Sequence, residues 1–212
     1  TFFDASSLRN VESILRRMLQ EKGYPDAEVT HTITRAGGGP KLAHVSFRLT
    51  EGPQVRVKRV LITGNRAISS RILVSQVRNT PGEKWWLPGF LERQGPFRDD
   101  LFAEDADRIV QAYRDRGFIN ASVGAPTVER TGSSRDGRTE WVTVTVPVSE
   151  GPRYTVDSLT FDGNAVFRTD QLATLFAQPK GRFYDEGQIR KGLQKARDIY
   201  GAAGYYEFSG YP

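Results

Sequence analysis

The chain has 212 residues, 38% of them apolar, no cysteine, and a net charge of +5 from 30 Lys and Arg against 25 Asp and Glu. This supplies cores for one large or two to three small domains, excludes a disordered chain, and removes disulfides and thiolate metal sites. No apolar run reaches the roughly 18 residues of a membrane-spanning helix, and the start at Thr1 lacks an initiator Met or signal-peptide pattern, as expected of a processed protein or a piece of one. The basic excess sits in the middle: seven basic residues against six acidic in 1–54, fifteen against eleven in 55–149, and eight against eight in 150–212. No block of five like charges occurs, so nucleic acid is not an expected partner.

In chain order, Leu8, Val11, Leu15 and Leu19 share one face of a helix over Asp4–Tyr24, which Gly23 ends. Ala27, Val29, His31 and Ile33 alternate as a strand, the run Ala36 to Pro40 breaks it, and Ala43, Val45, Phe47 and Leu49 alternate as its return. After Glu51-Gly52-Pro53, a basic strand carries Val57, Val60 and Ile62 into a Gly64-Asn65 turn. A helix with Ile68, Leu73 and Val77 follows, then an irregular insert at 83–97 containing Trp85 and Trp86. A second helix places Phe102, Ala106, Ile109 and Tyr113 on one face and ends at Arg116-Gly117-Phe118. A hairpin closes the unit, with Ala121, Val123 and Ala125 on one strand and Val142, Val144, Val146 and Val148 on the other.

The last segment restates this pattern at constant spacing. Val156, Phe161, Gly163, Asn164 and Leu172 repeat Val57, Ile62, Gly64, Asn65 and Leu73, and Ile189, Leu193, Ala196 and Tyr200 repeat the second helix. The same helix, followed by Gly-Tyr, lies on Leu8 to Tyr24. The chain is therefore an internal repeat of order β-α-α-β-β. The expected division is a partial unit at 1–54 (second helix plus hairpin), a complete unit at 55–149, and a partial unit at 150–212 (first strand plus two helices). Gly64 and Gly163 suit a tight strand-to-helix turn, and Asn65 and Asn164 suit a turn or cap. Gly23, Gly117 and Gly204 suit a left-handed helix C-terminus with an aromatic folding back on the last turn.

The order β-α-α-β-β, the Gly-Asn turns, the run from Tyr113 to Val123 and the Glu-Gly-Pro junctions at 51–53 and 150–152 resemble POTRA domains (the surface antigen repeat). The likeness is greatest to those of bacterial outer-membrane assembly proteins of the BamA and TamA type. The resemblance implies an α+β fold of tandem units, each a three-stranded mixed sheet covered on one face by two antiparallel helices. It implies an outer strand at Ala121–Arg130 and another at Ala27–Arg35, and a central returning strand in which Pro147 requires a bulge or an unpaired position.

The residues suggest no catalytic constellation and no cofactor. His31 and His44 fall on opposite strand faces, the Gly37–Gly39 run joins two strands, and the acids at Asp99, Asp100, Glu104, Asp105 and Asp107 suit the first turns of a helix. An outer strand offers unpaired backbone groups to another extended chain. The expected peptide-binding residues are Ala121, Ser122, Val123, Gly124, Ala125, Pro126, Thr127 and Val128. Arg56, Lys58 and Arg59 have two readings, a guard against edge-to-edge aggregation or a contact with an acidic partner or lipid head group. Trp85 and Trp86 either cover the helices or dock a partner. Gly52, Pro53, Gly151 and Pro152 are expected to restrict the links between units. The function that the resemblance implies is a non-enzymatic periplasmic module that binds unfolded outer-membrane protein precursors or accessory assembly subunits by strand addition. The alternative is a spacer, or a module of a two-partner secretion transporter or cell-division protein.

Overall fold

The computed structural model describes residues 5–35, 43–78 and 99–211. Its elements are α1 (Ala5–Glu21), β1 (Glu28–Arg35), β2 (Ala43–Thr50), β3 (Gln54–Thr63), α2 (Ser70–Gln76), α3 (Asp99–Arg114), β4 (Ser122–Val123), β5 (Thr127–Ser133), β6 (Thr139–Ser149), α4 (Thr169–Ala173) and α5 (Glu186–Ala202). The chain gathers into two compact units. One is Thr1–Leu61 with Val77–Asp105 and Pro126–Val146; the other is Ile62–Gln76 with Ala106–Ala125 and Pro147–Pro212. The dividing line passes through the continuous elements β3, α3 and β6.

In the first unit β1 and β2 form an antiparallel pair running from Glu28 opposite Thr50 to Arg35 opposite Ala43. His31 stands opposite Phe47 and His44 opposite Thr34, so the two imidazoles lie on different faces as the alternation requires. His31 Nδ1 is 2.7 Å from Glu12 Oε1 of α1. Leu8, Ala27 and Val29 are buried here, whereas Val11, Ile14 and Met18 of α1 are exposed. Along β3 the inward phase slips once: Val57 and Val60 are buried with Lys58 and Arg59 both exposed between them. That slip explains why the apolar residues of this strand do not alternate strictly.

The central sheet has the order β3-β6-β4, with β5 also pairing β6. Gln54 N–H donates to Arg138 O at 2.8 Å where β3 begins, and Gly64, just past its end, lies against the Val148 carbonyl. β3 therefore runs parallel to β6, while β4 and β5 run antiparallel to it, giving the mixed sheet that the resemblance implies. Val142, Val144, Val146 and Val148 are buried and the residues between them are not, so β6 turns one face inward throughout.

Two expectations are corrected. The outer strand is not continuous over Ala121–Arg130. Val123 pairs with Val148 and Thr127 with Thr145, so three residues on the outer strand face two on β6. Pro147 lies in that interval and has no N–H to give; Gly124 instead donates to its carbonyl at 2.9 Å. The Pro147 irregularity is thus present and divides the strand into β4 and β5. A second shift occurs between Arg130 and Gly132.

The other correction concerns Val156–Phe161, expected as the first strand of the last segment. It forms no strand: Thr155 makes an isolated bridge with Phe183, and Val156 exchanges hydrogen bonds with Arg182 and Gly181 at 2.8 and 2.7 Å. Its counterpart β3 has its ladder from β6. Among the described residues no strand lies beside 156–162, and extended backbone without a neighbour has no ladder.

In the second unit Ile62, Ile68, Leu73, Ile109, Tyr113, Val148, Leu172, Ile189, Ala196 and Tyr200 are buried. Three helices of the chain end alike. Tyr24, Phe118 and Tyr205 donate their N–H to Leu19, Tyr113 and Tyr200 O at 3.0, 3.1 and 2.8 Å. Each closure needs a left-handed residue just before the aromatic, which Gly117 supplies at φ +93°. Phe118 and Tyr205 fold back edge-on to Tyr113 and Tyr200, with ring centroids 5.8 and 6.1 Å apart.

Candidate functional site

The outer strand of the central sheet carries the candidate site. All seven residues of β5 are exposed, and among the described residues no strand pairs its outer side. Ser122, Gly124, Ala125, Thr127 and Val128 are exposed, Val123 and Pro126 are half-buried, and Ala121 is buried. The structure therefore puts Thr127 and Val128 on the open edge of β5, Ser122 and Val123 on the two-residue β4, and Gly124 to Pro126 in the break. Arg130 projects from the strand to within 3.2 Å of the Glu140 carboxylate on β6. What this edge can do chemically is donate and accept backbone hydrogen bonds.

Of the basic residues on β3, Arg56 is half-buried and its Nε donates to Gln54 Oε1 at 2.9 Å, while Lys58 and Arg59 are exposed side by side. Trp85, Trp86 and the insert at 83–97 lie outside the described residues, as does the Gly37–Gly39 run. Among the described residues no cluster of His, Asp and Glu could hold a metal ion, and no helix is long and apolar enough to cross a membrane.

The Gly-Asn turns and the Glu-Gly-Pro junctions are built with the same bonds each time they occur. Asn65 Nδ2 donates to Ile68 O at 2.8 Å and Ser70 Oγ at 3.0 Å; Asn164 Nδ2 donates to Phe167 O at 3.0 Å and Thr169 Oγ1 at 3.2 Å. After Gly52-Pro53, Gln54 Nε2 donates to Lys22 O at 2.9 Å and Val55 N–H to Gly23 O at 2.7 Å. After Gly151-Pro152, Arg153 Nε donates to Arg116 O at 2.7 Å and Tyr154 N–H to Gly117 O at 2.8 Å. At both junctions, then, two consecutive residues clasp the glycine that ends the preceding helix and the carbonyl before it.

Three features escaped the sequence reading. Glu150 is a hub: its Oε1 accepts from the N–H of Arg66 and of Ala67, both at 2.8 Å, and from Tyr113 Oη–H at 2.9 Å. Burial pushes the Glu150 carboxyl up, but the Ala67 and Arg66 N–H groups and the Tyr113 hydroxyl outweigh it, and the net shift is downward. Burial, then the Glu150 hydrogen bond and charge, hold the Tyr113 phenol above its ordinary range. The Arg153 guanidinium lies 3.4 Å from the Phe183 ring centroid and 5.7 Å from that of Phe118. Asp105, expected as an acid favouring the dipole in the first turns of a helix, is fully buried and accepts the Arg78 N–H at 2.8 Å. One signal for it was available, since Asp105 falls on the apolar face between Phe102 and Ile109.

One mixed sheet with an open outer strand, in a chain whose sequence repeats the order β-α-α-β-β, defines a tandem α+β module. The sequence pattern of the family described as POTRA, surface antigen variable number repeat, matches residues 55–151 and 154–209, which is well over half of the chain. The chain belongs to this family. It is 28% identical over 194 residues to a putative outer membrane protein assembly factor of Treponema pallidum, covering 90% of this chain and 22% of that protein. It is 22% identical over 207 residues to outer membrane protein assembly factor BamA of Neisseria meningitidis serogroup B, covering 96% of this chain and 24% of that protein. The chain thus spans about a quarter or less of the length of these curated relatives. Among solved structures, POTRA domains 3–5 of Haemophilus influenzae BamA superpose with a TM-score of 0.49 at 22% identity, covering 94% of this chain and 71% of that one.

Proposed function

We propose that this chain is a periplasmic, non-enzymatic interaction module of an outer-membrane β-barrel assembly protein, and that it captures extended segments of unfolded precursors or accessory subunits on its outer strand. The observation that carries the reading is the open edge of β5, exposed along its whole length. The relatives named as outer membrane protein assembly factors support the setting. Four ladder bonds at about 0.5–1.5 kcal/mol each give roughly 2–6 kcal/mol before ordering costs, which corresponds to binding near the millimolar range or not much tighter. Weak, sequence-tolerant capture suits a handler of many clients, and tandem units add avidity. A division into units at 1–54, 55–149 and 150–212 belongs to the same proposal, as does contact of Lys58 and Arg59 with acidic partners or lipid head groups.

In an NMR titration with extended barrel-strand peptides, the amides of Ala121–Arg130 shift, most of all those of Thr127–Arg130. Shifts confined to the helices would defeat the strand-addition mechanism.

The repeated two-bond clasp after Glu-Gly-Pro favours a second reading, in which the units act as spacers held at restricted angles. Replacing residues 55–149 in the full protein by an unrelated rigid spacer of equal length separates the two. Retained outer-membrane assembly supports the spacer; lost assembly supports capture.

A further inference from the structure

The backbone of β6 turns alternate residues to opposite sides, and its contacts fix which. Arg138 O accepts the Gln54 N–H of β3, and the Val148 carbonyl lies against Gly64 just past the end of β3, so the even-numbered residues turn to β3. Thr139 O accepts from Ser134 N–H at 2.8 Å and Pro147 O from Gly124 N–H at 2.9 Å, so the odd-numbered residues turn to β4 and β5. Thr143 and Thr145 are therefore the residues of β6 that bond β5, and their partners Glu129 and Thr127 use their N–H and C=O groups there. Val128 and Arg130 stand opposite Val144 and Val142, which turn to β3. Both thus point their N–H and C=O groups away from the sheet, and these four groups are the open edge.

The two ends of this edge are closed by different means. The residue that would next face outward before Val128 is Pro126, which has no N–H to donate. Beyond Arg130, Thr131 is an extra residue, because Arg130 pairs with Val142 and Gly132 with Trp141; its hydroxyl donates to Trp141 O at 3.2 Å. A doubling of this kind bends the strand and increases its twist, which carries the residues after it out of line with Val128 and Arg130. The surroundings of the two outward residues differ as well. The Val128 side chain, 43% exposed, continues the inward row of the fully buried Val144. Arg130 reaches Glu140 at 3.2 Å and Asp26 at 3.6 Å, so charge borders its part of the edge.

We infer that capture is confined to Val128 and Arg130. The edge takes a short extended segment, about four residues long, through four backbone bonds, with an apolar side chain beside Val128 and a polar one two residues along, beside Arg130. Pro126 and Thr131 set its length, and Ser122 to Ala125 take no part. The inference rests on the strand-capture reading above and adds to it the phase, length and pattern of the captured segment. The hairpin of β5 and β6 lies inside the matched segment 55–151.

The test uses the ¹⁵N-labelled 212-residue chain and the end-blocked peptide Lys-Thr-Thr-Val-Thr-Thr-Lys. In the free chain the amides of Val128 and Arg130 are expected to exchange with solvent about tenfold or more faster than those of Thr127 and Glu129. The peptide shifts the Val128 and Arg130 N–H resonances downfield, and replacing its valine by threonine weakens binding about fivefold. Val128→Pro removes an outward donor and no ladder bond, so the hairpin stays folded and binding falls about tenfold. Pro126→Ala adds an outward donor and tightens binding about threefold, which gives a reading that does not depend on the folding of the proline variant. Slow exchange at Val128 and Arg130 overturns the phase. Peptide shifts on β5 with an affinity that neither variant changes overturn the confinement to this edge and leave strand capture standing. The expected exchange pattern with no peptide shift anywhere on β5 defeats strand capture itself, and this inference with it.

Discussion

The Tyr113 hydroxyl and the Glu150 carboxylate, 2.9 Å apart, tie the last turn of α3 to the residue that opens the junction after β6. Because the same oxygen takes the N–H groups of Arg66 and Ala67, one side chain holds the Gly-Asn turn, the helix and the junction together. Glu150→Ala therefore leaves three donors without their acceptor. It is expected to cost about 2–4 kcal/mol in urea unfolding, against about 1 kcal/mol for Tyr113→Phe. The double variant falls short of the sum, because both changes remove one shared bond.

These two groups also set a pH dependence. The folded Glu150 carboxyl titrates below its ordinary 4.5, so its contribution is complete above that pH and is lost as pH falls through the folded value. Tyr113 is raised, so its contribution is complete below the ordinary phenol value of 10.0 and is lost as pH rises beyond it. Stability measured against pH should fall less steeply in acid for Glu150→Gln than for the unaltered chain. It should fall less steeply in alkali for Tyr113→Phe.

Gly64 and Gly163 head equivalent turns at φ +81° and +75°, but their surroundings differ. A Cβ on Gly64 would run into the Val148 carbonyl, while one on Gly163 meets nothing within 4 Å. Gly163→Ala should cost only the backbone strain, about 1–2 kcal/mol. Gly64→Ala should cost more than about 3 kcal/mol, because β3 and β6 must separate to admit the methyl. Thermal unfolding of the two variants compares them directly.

Arg153 combines the junction hydrogen bond to Arg116 O with its place over Phe183. Arg153→Lys keeps the charge but loses the planar guanidinium, so it should recover little of the effect of Arg153→Ala. About 1–2 kcal/mol is expected for the alanine variant. Gln54, which makes the equivalent bond to Lys22 O with a neutral amide and no guanidinium charge, should cost about 1 kcal/mol or less on change to Ala. Urea denaturation monitored in both variants checks the ranking.

Element order, helix ends and turns were legible in the residues because they are local. Gly117 followed by Phe118 closes α3 through bonds within six residues, and Asn65 bonds no further than Ser70. Repetition showed the order β-α-α-β-β, and the mixed sheet followed from the resemblance that this order carries. The loss of a continuous outer strand was half legible. Pro147 announced an irregularity on β6, but only the register shows that Gly124 to Pro126 bear it on the neighbouring strand.

What only the tertiary structure decided depends on which groups meet across long stretches of chain. Val156–Phe161 has the composition of a strand, but among the described residues no neighbour stands beside it to complete a ladder. Asp105 reads as one acid among several in the first turns of a helix until the Arg78 N–H is placed beside it in a fully buried position. Glu150 is one letter of a common junction word until folding brings it to Arg66, Ala67 and Tyr113. Sequence fixes the local backbone, through glycine and asparagine stereochemistry and apolar periodicity. The partners of its polar groups are set by what the fold puts opposite them.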